Sequence, residues 1–437
     1  MSVCVYFYLP HKTKSDLSSR TVLLETLTGD DFGFQVIENV HRSDGEGQGG
    51  NLPETLLVWT STFPSSSFFK SLLPPALKGT KIVINHFPRS VECGHKSRLY
   101  HNLDGKDFLP RSFAASSVKI QEKGRKDAKR QKVAKEHESS NMSVEGLRGR
   151  LKRLSSEGDA THWITKPQRG GGGRRIQIFE TEFLLNELGN AGSGVGLLPF
   201  KCPCVFQKYV PNPFLIEGRK VDLRAYVLVL QGTQSQHGGI YAYREGLVRF
   251  ASKKFTMSPV DLNDPYVHVT NNSVNKRNSV NHGATENMLF SETFQDNGVW
   301  ERSLFPQLKR IAFCTFTDAL LEHENVKRGV RACYGPYSAG RNLSNFELFG
   351  VDLLLDQDMK LHLLEVNHMP ELETSAKAYA DTKMNPKLVK DMFHLVCCNG
   401  SSLDSKKEMS LFVLCGNDCI ARKEKKKEEI KNKDKQR

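Results

Sequence analysis

The chain has 437 residues, of which 38% are hydrophobic and 25% charged, and 62 Lys and Arg against 49 Asp and Glu make a formal net charge of +13. This apolar content is sufficient for a hydrophobic core, which excludes a wholly disordered chain, and no apolar run approaches the ~20 residues that cross a bilayer, which excludes an integral membrane protein. The basic excess favours an acidic partner, and charge alone does not choose among nucleic acid, an anionic membrane surface and an acidic protein segment.

The N-terminal third carries short apolar runs separated by turns. Residues 1–9 are apolar but lack a basic stretch, and Pro10 ends the run, so they predict a first strand and not a signal peptide. Residues 56–59 and 81–84 predict buried strands, and a glycine-rich loop is predicted ahead of them at 43–51.

Two stretches are strongly basic. Residues 118–136 hold eight Lys or Arg against three acids with little apolar periodicity, which predicts an exposed helix or a disordered insert that continues to about residue 160. This insert is either a solvated charged face or an electrostatic contact for an acidic partner. Residues 422–437 hold nine basic and four acidic residues and predict a helical or disordered tail.

The remaining chain predicts a sheet with helices. Strands are predicted at 163–167, 205–210 and 222–230, and the last is long and mostly apolar, as in the middle of a sheet. Apolar spacing between residues 301 and 322 predicts a helix. Two hairpins are predicted, 240–243 with 247–250 around a turn at 244–246, and 346–355 with 361–366 around a turn at 356–358.

The second hairpin carries two carboxylates and an amide. Its turn brings Asp352 opposite the end of the strand that holds Glu365 and Asn367, and the last two share one face of the sheet because they are two residues apart. Oxygen ligands of this kind suit Mg²⁺, and two acids in an apolar hairpin are unfavourable to bury unpaired. The alternative is that these side chains lie at strand ends in water.

Two further patterns favour a charged ligand. Residues 166–176 (KPQRGGGGRRI) place four glycines between two strands, where backbone N–H groups would close over phosphates, although a flexible hairpin loop has the same composition. Lys220, Asp222 and Arg224 alternate along the long strand and so project from one face, and Arg244 lies at the next turn. They fit the wall of an anion-binding cleft, or else an exposed row of ion pairs.

Together these motifs resemble the tubulin–tyrosine ligase-like family, the amino-acid ligases of the ATP-grasp class, and among its members they are most similar to the tubulin polyglutamylases. The resemblance runs from about residue 50 to 395. The matching stretches are NHFP (85–88) with KSRLY (96–100), WITKP (163–167), QKYVPNPFLIEGRKVDLRAYVLV (207–229), YREGLVRF (243–250), HVTNNSVNK (268–276), FELFGVDLLLD (346–356) and LLEVN (363–367).

The resemblance implies an ATP-grasp fold of the α/β (α+β) class, with the nucleotide held between antiparallel sheets. It divides the chain into an N-terminal lobe (1–117), a basic insert or linker (118–160), a central lobe (161–250), a C-terminal lobe with the Mg²⁺ site (251–400) and a basic tail (401–437).

The resemblance also implies roles for single residues. The nucleotide would be bound by Lys166, Gln207, Lys208, Tyr209, Val210, Lys220, Asp222, His268, Thr270 and Asn271. The catalytic residues would be Lys220, with Arg224 and Arg244 holding phosphate or an acyl phosphate, and Mg²⁺ would be bound by Asp352, Glu365 and Asn367. Lys96 matches a further lysine of the family.

The implied activity is ATP-dependent addition of glutamate, through an isopeptide bond, to glutamate side chains in the acidic C-terminal tails of tubulin. The expected cofactors are ATP and Mg²⁺, and the expected partners are tubulin or microtubules and free glutamate, with no nucleic acid and no membrane. The expected location is the cytoplasm and cytoskeleton, including the cilium, axoneme or basal body. The alternatives are a glycine ligase, a ligase for another acidic protein and a degenerate member that binds microtubules without catalysis.

The chain departs from the family pattern beside the expected site, among other places at the phosphate loop and after Asn367. The phosphate loop of the family closes with Gly-x-Gly-Ile, whereas here Arg175 stands in place of the second glycine and adopts a positive φ less freely. After Asn367 the family commonly has x-Ser-Pro-Ser-Leu, whereas this chain has His368-Met369-Pro370-Glu371-Leu372. Both departures bear on amino-acid specificity and rate.

Overall fold

A computed structural model describes residues 3–8, 23, 35–37, 54–60, 80–115, 141–142, 144–156, 158, 161–168, 172–173, 175–190, 204–231, 238–278, 287–295, 298–334, 342–372, 379–397 and 410–416. The predicted loop at 43–51, the basic residues 118–136 and the tail at 422–437 lie outside these residues. No helix among the described residues is long and apolar enough to cross a membrane.

Sixteen strands are present in the described part of the chain. They are β1 (Val3–Tyr8), β2 (Gln35–Ile37), β3 (Thr55–Thr60), β4 (Lys81–Ile84), β5 (Ser112–Ala115), β6 (Asn141–Met142), β7 (His162–Pro167), β8 (Gln177–Glu180), β9 (Cys204–Lys208), β10 (Leu215–Ile216), β11 (Arg219–Leu230), β12 (Gly239–Lys254), β13 (Met288–Leu289), β14 (Asn342–Leu355), β15 (Leu361–His368) and β16 (Phe412–Leu414).

The helices connect and cover these strands. They are α1 (Val91–Gly94), α2 (Lys96–Asn102), α3 (Val144–Ser156), α4 (Thr181–Asn190), α5 (Pro265–His268), α6 (Asn272–Asn275), α7 (Phe290–Thr293), α8 (Phe305–Phe316), α9 (Glu324–Tyr334) and α10 (Tyr379–Cys397). Wide π-helical turns at Trp300–Leu304 and Thr317–Leu321 extend α8 at both ends, so the helix predicted between 301 and 322 is present.

The larger of two sheets joins a parallel part to an antiparallel part. Its order is β13-β12-β11-β14-β4-β3-β1-β2, with β10 on β11, β15 on β14 and β16 on β12. The long strand β14 makes the junction, because one edge pairs in parallel with β4 at its start and antiparallel with β15 further along. The smaller sheet has the order β6-β5-β9-β7-β8. The class is therefore mixed α/β, as expected.

The apolar faces of the larger sheet are covered on both sides, which explains why β11 is an almost continuous apolar strand. Phe305 and Ile311 of α8 pack on one face, and Leu388 and Phe393 of α10 pack on the other. The smaller sheet has its own cluster, in which α3 and α4 cover Trp163.

Helix α3 corrects one expectation for the basic insert. The insert was predicted to be exposed or disordered up to about residue 160, but Leu147, Leu151 and Leu154 are buried against the smaller sheet. The basic residues between these leucines masked a helical apolar stripe at intervals of three and four.

The first predicted hairpin is also wrong. Residues 239–254 form the single strand β12, and both halves pair with β11, with a register shift between Ala225 and Val227. Gly246 is therefore not a turn glycine. A Cβ at this position would lie 2.3 Å from Cε2 of Phe290, so the glycine is required for packing. The second predicted hairpin, β14 with β15, is confirmed.

Candidate active site

A cleft of about 870 Å³ lies between the two sheets. Strands β7 and β9 line it on one side, and β11, β12, β14 and β15 line it on the other, and residues 268–271 at the end of α5 also line it. Of the predicted site residues, those that line the cleft are Lys166, Gln207, Lys208, Tyr209, Val210, Lys220, Asp222, His268, Thr270, Asn271, Asp352 and Glu365.

Two lysines in the cleft have neutral partners. Nζ of Lys166 donates to Oε1 of Gln207 at 2.8 Å, and Nζ of Lys220 donates to the hydroxyl of Tyr209 at 3.2 Å. Among the described residues, neither ammonium group forms an ion pair with a carboxylate. Burial lowers the pKa of Lys166 to about 8 and that of Lys220 to about 7. An anionic ligand between them would remove this penalty.

Tyr209 and His268 extend the hydrogen bonds of Lys220. The hydroxyl of Tyr209 lies 2.8 Å from Nδ1 of His268. Burial, together with the charge of Lys220, lowers the pKa of His268 to about 4, so the ring is neutral at pH 7. Because the hydroxyl accepts from Lys220 and donates to Nδ1, the ring proton lies on Nε2. Nε2 is buried, and a hydrogen bond with the backbone of Asp261 opposes the downward shift of the ring's pKa.

The opposite wall is a row of ion pairs across neighbouring strands. Arg249 on β12 donates to both carboxylate oxygens of Asp222 on β11, at 2.7 and 2.6 Å, and its Nη2 lies 3.0 Å from Oδ2 of Asp352 on β14. Arg224 donates to both oxygens of Asp352, and Thr270 donates to Asp222 at 2.5 Å. The register makes this row, because Asp222 pairs with Arg249 and Arg224 with Asp352.

The predicted metal ligands meet at the end of this row. Asp352 pairs directly with Glu365, as predicted, and Asn367 donates to Oδ2 of Asp352 at 3.2 Å. Nζ of Lys96 lies 2.9 Å from Oε2 of Glu365. Although burial opposes ionisation, Arg224 and Arg249 lower the pKa of Asp352. Side-chain cations therefore satisfy both acids, and the sequence argument that their burial requires a metal does not hold.

The donor set nevertheless fits a hard divalent cation. Two carboxylates in adjacent register and an amide oxygen supply oxygen ligands, and Mg²⁺ completes its shell with water and phosphate. Among the described residues, no group of three or more His, Cys, Asp or Glu is arranged to hold a metal alone. A metal at Asp352, Glu365 and Asn367 would therefore depend on the ligand in the cleft for its remaining contacts.

Three predicted residues do not line the cleft. Arg224 and Asn367 are not among the lining residues, but both contact Asp352, which lines the cleft. Arg244 lies further away, where its guanidinium pairs with Glu301 and stacks on the ring of Phe305. It sits at the irregular stretch of β12 and was predicted to lie in a turn.

Arg249 lines the cleft and was not predicted. It is 7% exposed and is the partner of both Asp222 and Asp352. The wrong hairpin at 240–250 hid it, because that hairpin left Arg249 on a short outer strand. One feature of the sequence could have indicated Arg249. It lies five residues after Arg244 on an apolar segment, and this segment lies opposite the charged face of β11.

Two glycines of the glycine-rich loop adopt left-handed backbone conformations. Gly172 and Gly173 have φ of 69° and 67°, and a Cβ at Gly173 would lie 2.8 Å from the side chains of Val269 and Val274. Arg175 has φ of 60°, so it adopts the left-handed conformation in spite of its side chain. The arginine at this position therefore adds backbone strain that a glycine would not have.

Comparison with known proteins shows which proteins the chain is similar to. Residues 77–405 match the tubulin-tyrosine ligase family. The chain is similar to the tubulin monoglutamylase TTLL4 of Homo sapiens, with 29% identity over 71% of this chain and 23% of the relative, and to the tubulin polyglutamylase ttll-5 of Caenorhabditis elegans, with 28% identity over 79% and 43%.

A third relative has higher identity over a shorter stretch. The probable tubulin polyglutamylase TTLL2 of Homo sapiens is 34% identical over 55% of this chain and 36% of its own length. The chain thus spans less than half the length of these three relatives.

Proposed function

The chain belongs to the tubulin-tyrosine ligase family, and we propose that it is a polyglutamylase that uses ATP and Mg²⁺ to add glutamate to glutamate side chains in the C-terminal tails of tubulin. The observation that carries the proposal is the family match over residues 77–405, which contains every residue that lines the cleft. The names of the relatives as tubulin glutamylases support glutamate and tubulin as substrates.

The chemistry of the cleft is consistent with this reaction. An acceptor carboxylate attacks the γ-phosphate of ATP, and the acyl phosphate that results is attacked by the amino group of free glutamate, which releases phosphate beside ADP and forms the isopeptide bond. Lys166 and Lys220 lie where buried positive charge would stabilise phosphate oxygens.

The row of ion pairs would hold the proposed Mg²⁺ ligands in position. Arg224 and Arg249 hold Asp352, and Lys96 holds Glu365, so both carboxylates are preorganised before a ligand binds. Bound Mg²⁺, held by Asp352, Glu365 and Asn367, would neutralise charge on the phosphates. No covalent intermediate with the chain is required, so the protein acts by position and charge.

The proposal extends to the whole chain. The basic insert and tail would attract the acidic tails of tubulin, and the enzyme would act at microtubules in the cytoplasm, including those of cilia. The division into lobes at 117, 160, 250 and 400 stays a prediction, as does the contact of Arg244 with phosphate.

The test is ligation by the full chain with microtubules and Mg-ATP. Labelled glutamate, glycine or tyrosine is supplied in separate reactions, and the tubulin tails are read by mass spectrometry. We expect glutamate to be incorporated, with more than one addition at a site. Single additions would make the enzyme a monoglutamylase, and incorporation of glycine instead would change the substrate and keep the chemistry.

Two variants control for the site. Glu365→Gln removes a proposed metal ligand and should abolish ligation, whereas Glu322→Gln, at an exposed partner of Lys327, should leave it intact. Near-normal turnover by Glu365→Gln would remove Glu365 from the metal site. No incorporation by the unaltered chain, together with intact microtubule binding, would indicate a degenerate binder.

A further inference from the structure

Glu347 is a buried carboxylate outside the cleft that no step of the proposed reaction uses. It lies on β14, is 1% exposed, and accepts hydrogen bonds from two separate parts of the chain. Nδ1 of His86 and Nδ1 of His368 each lie 3.0 Å from its Oε1, and the backbone N–H of Phe87 donates to its Oε2 at 2.9 Å. Glu347 therefore ties the NHFP motif to the end of β15.

His368 is held tightly on its other side by Gly94. A Cβ at Gly94 would lie 1.7 Å from Nε2 of His368, so the imidazole ring rests directly on the backbone of α1. Nε2 is buried and has no partner among the described residues, which agrees with this close approach. Gly94 is thus required for packing, since any side chain there would displace the ring.

The residues on either side of His368 contact the proposed metal ligand and its partner. Asn367 donates to Asp352 at 3.2 Å. After the strained turn at Met369, with φ of 41°, Pro370 packs over Gly350. A Cβ at Gly350 would lie 3.2 Å from Pro370 and 3.1 Å from Arg224, so these two side chains share one small space.

We propose that Glu347 and His368 are positioning residues that clamp the end of β15 and thereby hold Asn367 and Pro370 against Asp352 and Arg224. This inference rests on the proposed function, because it assigns the clamp to the metal side of that site. It also gives a role to the NHFP motif, whose His86 and Phe87 anchor Glu347 from the segment that follows β4.

The variants separate the hydrogen bond from the bulk of the ring. His368→Ala removes both, whereas His368→Asn keeps an N–H donor near the position of Nδ1. Gly94→Ala leaves His368 unchanged and displaces its ring through the added methyl group on α1. Because the added methyl group has no ring to displace when His368 is already Ala, Gly94→Ala should have little further effect in that background. His101→Ala, at an exposed histidine of α2, is the matched control.

The first measurement is the affinity of the full chain for ATP with Mg²⁺ and with EDTA, by titration calorimetry. His368→Ala and Gly94→Ala should weaken binding of MgATP by roughly tenfold or more, as loss of a supporting contact at a metal ligand does, and change binding of metal-free ATP less than twofold. His368→Asn should retain most of the affinity, and His101→Ala should retain all of it.

Equal losses of MgATP and metal-free ATP binding would overturn the inference, because the clamp would then be only structural. The same holds if His368→Asn is as damaging as His368→Ala. Hydrogen exchange of residues 366–372 provides a second measurement that needs no ligand: exchange should rise in His368→Ala and Gly94→Ala, and unchanged exchange would refute the clamp. Absence of MgATP binding by the unaltered chain, with the exchange result as expected, would refute the proposed function and leave a structural clamp.

Discussion

Two pairs of cations lie in or beside the cleft, and the two pairs have opposite kinds of partner. Arg224 and Arg249 are each held by carboxylates, and together they make the row with Asp222 and Asp352. Lys166 and Lys220 instead donate to an amide oxygen and to a phenol. Burial lowers the pKa of both lysines, whereas carboxylates outweigh burial and raise the pKa of both arginines.

The difference indicates which charges belong to the protein and which are prepared for a ligand. A buried ion pair whose hydrogen bonds are satisfied is part of the scaffold, and losing one member leaves the other unpaired. A buried ammonium without a counter-charge is unfavourable until an anion arrives. Arginine suits the first task, because its planar fork bridges two carboxylates, and lysine suits the second.

The largest expected effect is on stability and comes from the arginines. Arg249→Met should lower the free energy of unfolding by about 3–5 kcal/mol, because Asp222 and Asp352 lose a shared buried partner. Denaturant unfolding measures this loss. Arg310→Met, at an exposed pair with Asp107, should change stability by less than about 1 kcal/mol. If the two variants lose stability equally, the buried row is not a scaffold.

The matching change in a lysine should affect the ligand and not the fold. Lys220→Met keeps an apolar stem beside Tyr209 and leaves no carboxylate without its ion-pair partner. The free energy of unfolding should therefore be unchanged or higher. Affinity for MgATP should fall roughly 10- to 100-fold, the range for a hydrogen bond to a charged group. Calorimetric titration measures the affinity for MgATP, and thermal melting measures the stability of the variant. A melting temperature as low as that of Arg249→Met would erase the distinction between the two pairs.

The lysines also predict a proton linkage. At pH 8 the ligand-free chain has lost part of the charge on Lys166 and Lys220, whose pKa values are about 8 and about 7, and phosphate oxygens would restore it. Binding of MgATP at pH 8 should therefore take up protons, and affinity should decrease as the pH rises from 7 to 9. Calorimetry in buffers of different ionisation enthalpy measures the uptake. Proton release on binding of MgATP would contradict the assignment of Lys166 and Lys220 as the groups that bind phosphate.

The same lysines have the opposite effect on folding. Their pKa in the folded chain lies below 10.5, so the unfolded chain binds more protons between about pH 7 and 10.5. Their contribution to stability therefore rises with pH in that window, while affinity for the nucleotide falls. Lys220→Met should reduce both slopes.

The smallest expected effect concerns the glycine-rich loop next to the lysines. Arg175→Gly should raise the free energy of unfolding by about 0.5–1 kcal/mol, because glycine adopts the φ of 60° without strain. Arg175→Ala removes the same charge but keeps a Cβ, so it should give no such gain. Equal stabilisation by both variants would assign the effect to charge and not to the backbone.

Much of the site could be predicted from the sequence because it lies on strands, where alternate residues share one face. The spacing of Lys220, Asp222 and Arg224 predicts one face, and the turn at 356–358 places Asp352 opposite Glu365. Arg249 was missed because a glycine and charged residues at 244–246 mimic a hairpin turn. Only the packing of Phe290 against Gly246 and the pairing of both halves with β11 show that the strand continues.

The family, several of the strands that carry the site and most of the residues that line the cleft follow from the sequence, because they depend on local periodicity and on motifs that can be recognised without their surroundings. The tertiary structure alone decided the partners of each charge. The sequence does not distinguish three carboxylates of β14 and β15 by their partners. In the structure, two arginines hold Asp352, Lys96 holds Glu365, and His86 and His368 hold Glu347. These partners come from strands and helices far apart in the chain, and the energy of a buried charge depends on the distance to its partner and on the water excluded around it.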